Sequence, residues 1–99
     1  MRLSKEEQQT KEIKSIIEYV TKNGTSISDN EIYWNTYPIC VQDVCVLGAK
    51  VKGKRTKQLI FGDMKGKKFI EIKDSKNVEA KYLKDILTDM KEADKKYKK

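Results

Sequence analysis

Histidine is absent from this chain of 99 residues. The side chain most often used for proton transfer near neutral pH is therefore missing. Two cysteines, Cys40 and Cys45, are too few for a zinc site, which ordinarily takes four ligands. No glycine-rich loop ends in Gly-Lys-Ser/Thr; Gly62 and Gly66 flank a turn instead. Asp85, Asp89 and Glu92 are interleaved with lysines at helical spacing, where solvated i, i+4 pairing accounts for them. An enzyme is not expected, nor is any metal or cofactor. No apolar run approaches the roughly 18–20 residues of a membrane span. Charge follows Met1–Leu3 directly, so neither membrane insertion nor a secretory signal is expected, and the expected compartment is the cytosol. Arginine is scarce: Arg2 and Arg55 stand beside twenty lysines. Lysine is a flexible point charge without the planar fork that reads guanine edges, so any nucleic-acid contact should be to the backbone.

What the chain does have is a net charge of +7 confined to one stretch. Residues 50–68 hold Lys50, Lys52, Lys54, Arg55, Lys57, Lys65, Lys67 and Lys68 against Asp63 alone, while the flanking segments carry −2 and +2. A basic block between balanced flanks defines a surface for polyanions. These eight cations are the candidate nucleic-acid-binding residues, lining a sheet face or groove, with Phe69 or Phe61 available for base stacking. The plainer reading is a solvated edge whose lysines prevent strand-to-strand aggregation. Eight positive charges of nine exceed what that needs.

Ser4-Lys5-Glu6-Glu7 has the form of a capping box. Ile13, Ile16, Ile17 and Val20 follow at i, i+3, i+4, i+7, which predicts a helix over 5–22 ended by Asn23-Gly24 in left-handed backbone. Residues 25–38 are open: Ser28–Glu31 could cap a short helix, yet 32–37 has strand composition and Pro38 interrupts it. A helix-turn-helix is disfavoured, because its recognition helix would be short, acidic at its start and stopped by that proline. Residues 39–51 read as extended, with Cys45, Leu47, Ala49 and Val51 on one face and lysines on the other. A basic tip at 53–55 leads to a returning strand at 58–61, a turn at 65–66, a strand over 67–73 with Ile70 and Ile72 inward, and a helix over 78–95. The expected architecture is α+β over 1–99 as a single domain. It comprises an N-terminal helix, an antiparallel meander of three to four strands, a C-terminal helix packed on one sheet face, and a frayed end at 95–99. The expected core is Ile13, Ile16, Ile17, Val20, Leu47, Val51, Ile70, Ile72, Leu83, Ile86 and Leu87.

Two clusters leave alternatives. On one continuous strand Cys40 and Cys45 lie on opposite faces roughly 16 Å apart, whereas a hairpin turning at Gln42-Asp43 would oppose them. Buried free thiols are the default expectation. Tyr33, Trp34 and Tyr37 either close the core against the first helix or form a partner-binding surface.

Residues 53–59 (Gly-Lys-Arg-Thr-Lys-Gln-Leu) and 67–74 (Lys-Lys-Phe-Ile-Glu-Ile-Lys-Asp) resemble the sheet core of positive-cofactor-type single-stranded-DNA-binding proteins, over about residues 44–74. The resemblance implies a basic hairpin, a Lys-aromatic-x-acid-Ile strand, single-strand binding and a homodimer. The element order is also similar to that of double-stranded-RNA-binding domains, with Ser75–Lys81 in place of their lysine-rich second-helix start. The expected function is backbone-directed, largely sequence-nonspecific nucleic-acid binding, single-stranded rather than duplex. The alternative is a small protein-interaction or inhibitor module, for example from a phage or other mobile element, docking on a protein or nucleoprotein partner.

Overall fold

The computed structural model describes residues 4–41, 43–66 and 68–97 and, within them, the side chains of all but 35–37, 64 and 97. Ser4 caps helix α1 (Lys5–Asn23): its hydroxyl accepts from the Glu7 N–H at 3.2 Å and donates to the Glu7 carboxylate at 3.0 Å. Ile16, Ile17 and Val20 form the buried stripe, with Ile13 half-buried beside it. Gly24 follows in extended backbone, φ −85°, and not in the left-handed conformation expected of the Asn23-Gly24 ending.

Residues 25–41 are two strands, β1 (Thr25–Ser28) and β2 (Glu31–Val41), so no recognition helix is present there. Pro38 sits within β2 where the register slips: between Asn35 and Ile39 the strand fits residues 36–38 opposite Leu47 alone. A residue without an N–H is tolerated at such a bulge. Strands β3 (Val44–Lys52), β4 (Gln58–Lys65) and β5 (Lys68–Asp74) complete an antiparallel sheet in the order β1-β2-β3-β4-β5. The sheet thus has five strands, one more than the upper expectation. All four β1 residues are exposed, so no apolar alternation marks it in the sequence. The stretch 39–51, read as one extended segment, reverses between Val41 and Val44. After β5 comes a 3-10 turn (Ser75–Asn77), where Asp74 accepts from the Lys76 N–H at 2.9 Å. Helix α2 (Ala80–Tyr97) begins two residues later than expected, with Val78 buried ahead of it.

One sheet face carries both helices. Trp34, Ile39 and Val41 of β2, Val46, Ala49 and Val51 of β3, and Leu59 and Phe61 of β4 meet the α1 stripe and Leu83, Ile86 and Met90 of α2 in one cluster. Each large side chain so buried contributes about 1.5–3 kcal/mol relative to exposure. Leu47, Ile70 and Ile72 were expected in this core and are instead 42%, 39% and 40% exposed. At the β2–β3 bulge Val46 and Ala49 both face the helices, which throws the Cys45–Leu47 half of the alternation outward. Ile70 and Ile72 lie on the edge strand β5, whereas the helices pack mainly over β2, β3 and β4.

Asp94 ties three elements together. Its carboxylate accepts from Trp34 Nε1 at 2.9 and 3.2 Å and from the Tyr19 hydroxyl, joining β2, α1 and α2. Burial, then the Asp94 hydrogen bond and charge, push the Tyr19 phenol well above its ordinary range. Nearer the start of α1, Gln9 Nε2 donates to the carbonyls of Lys76 and Val78 at 2.9 and 2.7 Å, fixing the approach to α2.

Candidate nucleic-acid interface

The sheet face away from the helices holds the rows Glu31–Lys52–Gln58 and Tyr33–Lys50–Ile60–Asp74. Lys50, expected as a solvent-facing cation, is only 8% exposed. Its Nζ lies 2.9 Å from Glu31 and 4.7 Å from the centre of the Phe69 ring. The Lys50 hydrogen bond, with a second from Ser28 and the lysine's charge, holds the Glu31 carboxyl below its ordinary range. Phe69 is half-buried, edge-on to Tyr33 with ring centres 5.6 Å apart and planes at 70°. The Tyr33 hydroxyl is buried and has no hydrogen-bond partner among the described residues.

Two paired glycines beneath these rings make that packing possible. Gly48 and Gly62 are cross-strand neighbours on β3 and β4. A Cβ on Gly48 would stand 2.9 Å from the Tyr33 hydroxyl and collide with the Trp34 carbonyl. One on Gly62 would stand 2.9 Å from Phe69 Cζ and collide with the Ile70 carbonyl. Gly62→Ala is expected to destabilise the fold by about 1–3 kcal/mol through this overpacking. Urea denaturation checks it; an unchanged midpoint would mean that Phe69 does not seat on the sheet. The sequence carried this signal as glycine at the centres of two strands, which marks close approach.

Two further polar contacts lie on the open face. Lys52 lies 3.7 Å from Glu71, and Gln58 donates to Asp74 at 2.8 Å. Cations without an ion pair among the described residues gather at the two ends. At the β3–β4 tip, Gly53 takes φ +103° and its N–H donates to the Asn30 carbonyl at 2.8 Å, anchoring the loop to the β1–β2 turn. Lys54, Arg55 and Lys57 project from that tip, exposed and without an ion pair among the described residues. At the opposite end Lys65 and Lys68 face each other across the β4–β5 turn, both exposed. Lys67 lies outside the described residues. The eight residues of β4 separate the two ends by roughly 25 Å. The described cations thus fall into two groups, at opposite ends of the sheet as a meander places them, and Lys50 and Lys52 between them are paired with acids.

No protein-family model, curated protein or solved structure matches this chain. Among the described residues no group of three or more Cys, Asp or Glu could hold a metal ion, and no helix is long and apolar enough to cross a membrane.

The second candidate surface changes more. Trp34 is fully buried in the core and Tyr33 is buried on the opposite face, so these two do not form an exposed partner patch. The Tyr37 side chain lies outside those described. Cys40 and Cys45, expected as buried thiols, are exposed and directly opposed across β2 and β3, with sulfurs 2.8 Å apart. Only residues 42 and 43 connect their strands beyond the Val41–Val44 pair, and Gln42 lies outside the described residues.

Proposed function

We propose that this chain is a small nucleic-acid-binding module that grips the phosphate backbone without reading sequence. The observation that carries this reading is the β3–β4 tip, where Lys54, Arg55 and Lys57 stand exposed and without an ion pair among the described residues, while Lys50 and Lys52 behind them are matched by acids. Such a tip supplies point charges to phosphates and offers a single guanidinium for base edges, which favours backbone contact. A single strand is the preferred ligand. A flexible chain can reach from the tip to the lysines at 65 and 68 across the twisted sheet, past Phe69, whereas a stiff duplex meets one end at a time. The similarity of residues 53–59 and 67–74 to the positive-cofactor-type sheet core points the same way. Titrating labelled single- and double-stranded oligonucleotides over a salt series tests the proposal. Log affinity should fall linearly with log salt, by about 0.7 per phosphate contacted on single strands, and by a similar amount for unrelated sequences. Absence of binding at low salt would end this reading.

The rival reading, a protein-interaction or inhibitor module, draws on a different observation. Ile70 and Ile72 are exposed on the edge strand β5, an apolar pair of the kind that meets protein partners.

A further inference from the structure

We infer that Cys40 and Cys45 form a surface dithiol site that takes a low-molecular-weight disulfide as its oxidant and closes into a cross-strand disulfide. The geometry carries the inference. The two residues are direct partners in the antiparallel β2–β3 ladder, and both are exposed. Directly opposed residues in such a ladder have Cα atoms about 4.5–5.5 Å apart, inside the range that a disulfide bridges. Their side chains lie on the same face: Ile39, Val41 and Val46 point into the helix-side core, which turns Cys40 and Cys45 to the open side. The sulfurs already touch, 2.8 Å apart, with either thiol able to donate to the other.

The chemistry balances as two exchanges. One cysteine thiolate attacks a sulfur of the small disulfide, forming a mixed disulfide and expelling one small thiolate. The opposed cysteine then attacks the protein-bound sulfur, forming the Cys40–Cys45 bond and expelling the second. Two electrons pass from the protein to the small disulfide, and the two cysteine protons end on the two released thiols. The second step is intramolecular and between groups already in contact, so it outruns any competing encounter. The bond would pin β2 to β3 on the turn side of the bulge at 35–39, the one interval in which their register slips. This inference stands apart from the nucleic-acid reading.

The purified protein is equilibrated with oxidised glutathione, quenched in acid, alkylated and weighed by mass spectrometry. The expected wild-type product has no alkylatable thiol, has lost the mass of two hydrogens, and runs as a monomer on a non-reducing gel. Cys45→Ser should stop at one glutathione attached to Cys40. Two thiols still alkylatable in the wild type, a persistent wild-type glutathione adduct, or a covalent dimer would each overturn the inference. The wild-type arm decides it even where the variant folds poorly.

Discussion

Glutamine in place of Lys54, Arg55 and Lys57 is expected to weaken single-strand binding at low salt on the order of a hundredfold and to make the salt slope shallower by about 2. The loss should be similar for all sequences, because the contacts are to phosphate and carry no base information. Circular dichroism should be unchanged, since all three side chains face water. Glutamine at Lys95, Lys96, Lys98 and Lys99 should cost less, because α2 also carries Asp85, Asp89, Glu92 and Asp94. Lys52 should contribute less than its tip neighbours, being half-exposed and 3.7 Å from Glu71. Full affinity in the tip variant would remove the hairpin from the interface.

The second large effect concerns stability. Trp34→Ala should cost about 3–5 kcal/mol, from lost burial and the cavity left among α1, α2 and the sheet. Against a usual total of about 5–15 kcal/mol, this is a large share of the stability. Trp34→Phe separates the two parts of the interaction. It keeps an apolar ring but removes the indole N–H from the Asp94 carboxylate, at an expected cost of about 1–3 kcal/mol. Urea midpoints at constant slope measure both. A Trp34→Phe midpoint equal to the parent would show that the Asp94 contact contributes nothing to stability.

The helices were legible because the stripes Ile13–Val20 and Leu83–Met90 repeat at helical spacing, and the Ser4 cap sits where the sequence puts it. The middle of the sheet was half legible. Ala49 and Val51 face the core as their alternation requires, but the bulge beside Pro38 shifts the phase before Leu47. Periodicity within one strand cannot reveal an irregularity created by the partner strand. Ile70 and Ile72 misled for another reason: alternation assigns a face, and only the placement of the helices decides whether that face is covered. The charge block marks the β3–β4 tip, whose Lys54, Arg55 and Lys57 are exposed. The burial of Lys50 was hidden because its partners, Glu31 and Phe69, are distant in sequence and meet it only across three strands.

The five strands pair strictly with their neighbours in the chain, whereas Tyr19 and Asp94 join positions 75 residues apart. These two kinds of contact differ in kinetic consequence. Each hairpin closes a short loop and can form early, while docking α1 against α2 requires the two ends of the chain to meet. The entropic cost of that closure grows only logarithmically with separation, so the long span slows the final step more than it weakens the finished fold. The topology thus separates two ranges of contact: a ribbon of strands held by short loops, and a pair of helices whose joining spans most of the chain.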